Sequence, residues 1–533
     1  MTRFAGRNRR VSAVAAIGLI AMAMPAADFD IVIRNARVVD GTGNPWYRAD
    51  IGIAGGRVKA IGKVDGTAAR TIDAGGRIAA PGFIDVHTHI EGAVEKVPRG
   101  DNFLRDGVTT VVTGNCGGSK VKVGEWFDEL EAAGLGINVA TLIGHNSVRN
   151  EVMGRVNRKA TPEEITAMRA LVDEAMREGA TGFSTGLIYI PGAYSDTAEV
   201  VALANAAAAH GGVYASHMRD EGSSIRQAID EAVEVGRANN MPVQISHFKI
   251  DNRRLWGSSS ESLALVEKYR RLGVDVVVDQ YPYDHSSTNL GITLPNWALA
   301  DGRDAILERL RTPETRARIR REMAESLAER GQPDYSYATV AGFEKDRSIE
   351  GKTISEINAA RGRAKSVENE IETILELIEV AMPSMVYHSM SMEDVERIMR
   401  YPNTAVASDG GVREFGVGMP HPRSYGTNAR VLAEFVRNRG TLTLEDAVRR
   451  MTSLPARTFR LTDRGLLRVG YAADVVVFDP ARIQDKASYQ QPHQYTEGFD
   501  TVIVNGVLAI QDGEWTGASG GRAIRQGSRS GNQ

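Results

Sequence analysis

The chain of 533 residues contains a single cysteine, Cys116, so no intrachain disulfide can form. It has no surplus of positive charge. The formal net charge is -3 and there is no long basic run, which argues against nucleic acid as a partner. Aromatic residues are sparse at 6%, while glycine is abundant at 55 residues, a balance that suits many tight loops joining short elements. The apolar run at the N-terminus, Val11 to Met24, is about 14 residues long, short for a helix that spans a membrane. What is present is ordinary for a globular protein, 42% hydrophobic and 25% charged. The length allows one large α/β domain and a smaller one.

Arg3, Arg7, Arg9 and Arg10 precede the apolar run, and small residues follow it, with Ala21-Met22-Ala23 and Ala26-Ala27 as cleavage candidates. Residues 1–27 therefore read as an export signal, which places the mature protein in the periplasm or outside the cell. A plain anchor or a misplaced start is the alternative. The surroundings of Arg9-Arg10 fit a twin-arginine signal poorly. A lone thiol in an exported protein calls for a role other than a disulfide.

Short alternating strands with glycine turns fill residues 28–82, beginning with "DIVIRNARVV", and the same texture returns over 465–516 in "GYAADVVVFDP" and "DTVIVNGVLAIQDG". The two ends are expected to join into one small β domain. Between them, strand candidates run over Phe83–His89, Val108–Thr113, Asn138–His145, Ala180–Thr185, Val213–His217, Val243–His247, Val274–Asp279 and Thr404–Asp409. Helical stretches separate most of these, which argues for parallel strands with crossover helices, and eight units suggest a closed barrel over 83–464. The fold class expected is α/β, a TIM-like (β/α)8 barrel with a small β-sandwich domain built from both chain ends. A ninth candidate, Ser384–Ser389, is read as an accessory strand. The charged, helical stretch at about 300–380 reads either as an insertion over the barrel mouth or as a peripheral decoration. The tail 517–533 is rich in Gly, Ser and Arg and is expected to be mobile.

The sharpest local signal is "PGFIDVHTH". Strand alternation puts Asp85, His87 and His89 on one face and Ile84, Val86 and Thr88 on the other, which can pack on helices. Two imidazoles then stand at the C-terminal end of a strand, where barrel enzymes carry their chemistry. His217 ends "GVYASH", His247 ends "PVQISH" and Asp409 ends "TAVASD". Each alone can be a satisfied buried polar residue. Together at strand ends they are costly to bury unless a divalent cation pairs with them.

This constellation resembles the amidohydrolase superfamily, with H-x-H on the first strand, His on the fifth and sixth, and Asp on the eighth. Many members bridge two metals with a carbamylated lysine after the fourth strand, but here that strand closes "GATGFSTG". Instead "GVTTVVTGNCGGS" puts Cys116 just after the second strand. With "SHMRDEG" and "SDGG", this resembles the N-acyl-D-amino-acid deacylases, whose cysteine ligates metal in place of the lysine. The likeness runs over nearly the whole mature chain. It departs at Ile90-Glu91-Gly92, where the family carries an acidic or aromatic-acid pair, and at His285 in "YPYDHSST". A pocket wall that differs near the ligands is expected from this.

The resemblance implies Zn2+ as cofactor and a small N-acyl amino acid, or a similar amide, as substrate. It implies that Cys116, His217 and His247 hold a tight zinc, with His87, His89 and Asp409 around a weaker position that shares Cys116. Asp409 is then the general base, and Tyr189 either stabilises the oxyanion or is structural. Lys249, Tyr281 and Ser287 match residues near the substrate carboxylate, although Lys249 can equally be a solvated rim charge. An arginine used by the family is unplaced, with Arg303 one option. A metal-dependent dipeptidase or other amidase on the same site is the alternative. A cyclic-amide hydrolase should have the bridging lysine, and a non-enzymatic scaffold should have lost ligands.

Overall fold

The structure, a computed structural model, describes residues 1–2 and 27–527. The expected export signal lies almost wholly outside the described residues. Eight short parallel strands form the barrel: β1 (Phe83–Asp85), β2 (Val108–Thr113), β3 (Asn138–Thr141, continuing as Ile143–Gly144), β4 (Gly182–Gly186), β5 (Val213–His217), β6 (Val243–Ile245), β7 (Val276–Gln280) and β8 (Thr404–Val406). Each pairs in parallel with the next. The ring closes just beyond β8 and β1, where Asp409 N donates to His87 O at 2.8 Å and His89 N donates to Gly410 O at 2.7 Å. Each of the eight overlaps a strand expected from the sequence, although β1, β6 and β8 end before His87, His247 and Asp409.

Two of the helices between the strands begin where side chains satisfy their free N–H groups. Thr161 and Glu164 form a capping box at Pro162–Arg177, and Asp196 caps Thr197–Ala209. Ile84 and Val86 share a core with Val112, Ala140, Ala215, Val277 and Ala405, drawn from five other strands, and with Leu454 and Ala456 of the helix Ser453–Thr458, so that core is built mainly by the strands themselves. The simple alternation fails because β1 is regular only to Asp85, whose Oδ1 accepts from His87 N at 3.2 Å and Ser408 N at 3.0 Å.

Strands from both chain ends form a nine-stranded sheet, joined where Ile78–Pro81 pairs antiparallel with Val475–Phe478. Period-two alternation divides that junction between two cores. Val475 and Val477 face Ile33, Ile51 and Ile53 of the β domain. Val476 and Phe478 face the barrel, where Phe478 meets Phe83 and Phe499 edge-on.

Between β7 and β8 an insertion builds its own core from Leu290, Met323, Tyr335, Ile374 and others. It is more than helical. His285–Asn289 and Ala338–Gly342 both pair antiparallel with Ser384–His388, the accessory strand. Its residues line the cavity at the barrel mouth, which decides its position.

The tail expected to be mobile is docked as far as Gln526. Val139 N donates to Arg522 O at 3.0 Å, Ile524 N to Val139 O at 2.7 Å and Gln526 N to Gly179 O at 3.0 Å, with Ala523 buried. Composition suggested a loose end, but β3 offers unpaired backbone groups that the segment satisfies. No helix of the described residues is long and apolar enough to cross a membrane.

Candidate metal centre and cavity

His87 and His89 follow β1, Cys116 sits in the turn after β2, His217 ends β5, His247 follows β6 and Asp409 follows β8. Cys116, His247 and Asp409 adopt φ of 52°, 34° and 52°. Such left-handed backbone is uncommon outside glycine and gathers at functional sites. Gly114 and Gly117 flank the cysteine turn. A Cβ on Gly114 would fall 2.2 Å from Leu142 O, and one on Gly117 2.3 Å from Asn146 Oδ1, so the turn needs both glycines. Glu91 Oε1 accepts from Gly114 N and Thr113 Oγ1, each at 2.8 Å. The departure at Glu91 thus braces the cysteine turn rather than forming the cavity wall.

Cys116 Sγ lies 3.3 Å from His87 Nε2, 3.5 Å from His217 Nδ1 and 3.5 Å from His247 Nε2. One tetrahedral zinc, with sulfur at about 2.3 Å and nitrogen at about 2.0 Å, separates those donors by about 3.5 Å. Asp409 Oδ1 stands 3.0 Å from His89 Nε2 and 3.6 Å from His87 Nε2. Two sets of donors therefore meet at Cys116, one with His217 and His247, the other with His87 and His89. Burial opposes ionisation of the Cys116 thiol, but His87 and His217 more than offset it and bring it well below its usual value. A thiolate is the metal-binding form.

Carboxylates behind the imidazoles fix their orientation, as metal-bound histidines require. Asp279 Oδ2 lies 3.3 Å from His87 Nδ1, while Glu221 Oε1 lies 3.0 Å from His247 Nδ1. Glu221 is buried, which resists ionisation, yet Lys249 and the two histidines beside it hold it well below the ordinary carboxylate range. Neither Glu221 nor Asp279 was singled out from the sequence. Glu221 lies in "SHMRDEG" and Asp279 closes the strand candidate Val274–Asp279, but only packing shows what they hold.

A cavity of about 380 Å³ opens over the cluster. Tyr189, Lys249, Tyr281 and Ser287 all line it. Lys249 is buried, 3% exposed, with Nζ 2.7 Å from Glu221 Oε1, so it is no solvated rim charge. Nζ also lies 2.7 Å from His247 Nδ1, so one of its three donors is left for the cavity. Among the described residues the Tyr281 hydroxyl has no hydrogen-bond partner. Ser287 Oγ donates to Met385 O at 2.8 Å, which leaves it only as an acceptor in this rotamer. Tyr189 packs edge-on against His217 at 4.7 Å, and burial raises its hydroxyl well above its usual range, keeping it a donor. Arg303 is elsewhere, donating to Ile378 O and Glu379 O. Arg423 instead stands beside Asp409, and Arg330 enters the wall from the insertion. His285 lies outside the cavity.

A parallel barrel with a thiolate, imidazoles and a carboxylate at its C-terminal mouth, joined to a β domain from both chain ends, defines a metal-dependent amide hydrolase. The chain matches the amidohydrolase family profile over residues 70–510. It is 35% identical to the D-aminoacylase of Alcaligenes xylosoxydans xylosoxydans over 521 residues, 93% of this chain and 97% of that one. It is 36% identical to the N-acyl-D-glutamate deacylase of the same organism, over 90% and 93% of the two chains. The solved N-acyl-D-glutamate deacylase of Bordetella bronchiseptica, complexed with zinc and a phosphonate inhibitor, superposes with a TM-score of 0.79 at 32% identity, over 93% of this chain and 99% of that one. The chain belongs to the amidohydrolase family and, within it, to the N-acyl-D-amino-acid deacylases. Zinc is its cofactor, and the donor set fits it.

Proposed function

We propose that the protein hydrolyses N-acyl-D-amino acids to a carboxylate and a free D-amino acid, and that it favours substrates with an uncharged side chain. The observation that carries the reaction is Cys116, whose sulfur faces both groups of imidazoles, His87 at 3.3 Å and His217 and His247 at 3.5 Å. Cys116, His217 and His247 would hold the tighter zinc, with His87, His89 and Asp409 around a second position that shares the sulfur. Zinc so held supplies Lewis-acid polarisation of a carbonyl and acidifies a water.

Asp409 takes the proton from the attacking water and hands it to the leaving amine. Burial opposes its ionisation, but Arg423 and His87 bring it well below the usual carboxylate range, so it is a carboxylate ready to accept. Tyr189 donates to the oxygen on which charge develops. Lys249 and Tyr281 meet the substrate carboxylate as donors, with Ser287 in the adjoining wall.

The side-chain preference rests on charge. Lys249 and Arg330 are the cations lining the cavity, and each already has a carboxylate, Glu221 at 2.7 Å and Asp251 at 2.8 Å. A second substrate carboxylate would be left without a cation of its own, whereas Ile188, Ile292, Met323 and Leu327 offer apolar contact. A panel of N-acetyl-D- and L-amino acids and dipeptides tests both parts. N-acetyl-D-methionine or D-leucine should be the best substrates. Faster turnover of L-enantiomers or dipeptides would replace the deacylase reading with a dipeptidase or other amidase. Faster turnover of N-acetyl-D-glutamate would overturn only the side-chain preference. We also propose export, supported by the basic and apolar N-terminal sequence. N-terminal sequencing of the protein from its own cells should begin between Ala21 and Asp28, and a chain beginning at Met1 would refute export with cleavage.

A further inference from the structure

His285 stands just outside the catalytic cavity, although its neighbours Ser286 and Ser287 line it. On the outer side of that wall it lies directly opposite His388 across two antiparallel strands. The two rings stack with centroids 4.7 Å apart and 25° between their planes. Asp284 puts Oδ1 2.7 Å from His285 Nδ1 and Oδ2 3.6 Å from His388 Nε2. One donor atom from each of the three residues lies within 4.8 Å of the others.

The surroundings hold this group in place. The Tyr489 hydroxyl donates to Asp284 Oδ1 at 3.1 Å, and its ring lies 4.0 Å from that of His285. Ser389 N and Met390 N both donate to Asp284 O, at 3.3 and 3.1 Å, which ties the aspartate to the strand that carries His388. The side chains of His285, Asp284 and His388 are 23%, 28% and 46% exposed, so a hydrated ion can reach them. Two stacked imidazoles repel one another when both are charged. Burial and then His285 push the His388 imidazolium down, which leaves a nitrogen lone pair for a ligand. Two imidazoles and a carboxylate suit a divalent first-row transition ion better than calcium or magnesium, which prefer oxygen donors.

We propose that Asp284, His285 and His388 form a second metal site, separate from the catalytic centre, that binds a divalent transition-metal cation such as Zn2+. The ion would clamp the strand His285–Asn289 to Ser384–His388, the two strands that form one wall of the cavity. The site joins the end of β7 to the far end of the insertion, so binding fastens the insertion to the barrel.

The test uses the full-length, zinc-loaded enzyme and Zn2+ alone as the probe. Stoichiometry by native mass spectrometry and melting temperature are read during titration for the wild type, His388→Gln and His285→Gln. The wild type should take up one more Zn2+ per chain than either variant. Added Zn2+ should raise its melting temperature, with a clearly smaller rise in the variants, because an ion that binds only the folded state stabilises it. Retention of the catalytic zinc shows that each variant is folded, and if one fails to fold the other decides. Equal stoichiometry in wild type and folded variants would overturn the proposal. So would an additional Zn2+ that persists in His388→Gln and His285→Gln but is lost in His89→Ala, because that ion belongs to the catalytic cluster.

Discussion

Arg423 Nη1 lies 3.0 Å from Asp409 Oδ2, and its guanidinium rests 4.6 Å over the ring of Tyr281. Both charged side chains are almost wholly buried, so the pair acts in a medium where one charge strongly biases the other. Arg423 is the largest of the influences that lower the Asp409 pKa. Replacing it with methionine should therefore raise that pKa. The reaction needs the ionised carboxylate, so the acid limb of the kcat/KM profile should move to higher pH. Arg423→Lys should restore part of the shift. A pH profile of Arg423→Met that overlays the wild type would remove Arg423 from this role.

Asp409→Asn keeps the size of the side chain but cannot take a proton. Activity should fall by at least ~100-fold, the low end for loss of general acid–base catalysis, and mainly in kcat. Zinc at Cys116, His217 and His247 should remain, whereas Cys116→Ala should lose both metal and activity. Metal content and kcat are measured together on both variants. Near wild-type turnover in Asp409→Asn would refute the general-base role, and loss of the tight zinc would make Asp409 a primary ligand.

Glu91 touches no proposed substrate group, yet it grips the turn that presents Cys116. Glu91→Ala leaves Gly114 N without its acceptor and lets the turn relax. Zinc affinity should fall by about 10- to 100-fold, the usual effect of removing a group that positions a metal ligand. Competition with a chelator measures it. Glu91→Gln keeps an acceptor oxygen and should lose much less.

Deleting residues beyond Thr516 should destabilise the protein, although none of the described residues there lines the cavity. Val139 N would lose Arg522 O, and the docking site of Ala523 would be uncovered. An unpaired buried backbone group costs about 1–3 kcal/mol, so a lower melting temperature is expected. An unchanged melting temperature would show that the docked segment contributes nothing to stability.

The positions of the barrel strands, the β domain from both ends and the cluster of His87, His89, Cys116, His217, His247 and Asp409 were legible in the sequence. Each strand announces itself by local hydrophobic pattern, and a polar residue at its C-terminal end falls at the mouth of any parallel barrel. The partners of those residues were not legible. Glu221, Asp279 and Arg423 are ordinary charged residues until the barrel closes and brings them beside His247, His87 and Asp409. The docked tail follows the same logic, since its partners Val139 and Gly179 lie hundreds of positions away. Local periodicity is a property of neighbouring residues and can be read along the chain. Hydrogen bonding and charge pairing at a site depend on distances between remote segments, and only the tertiary structure sets those distances.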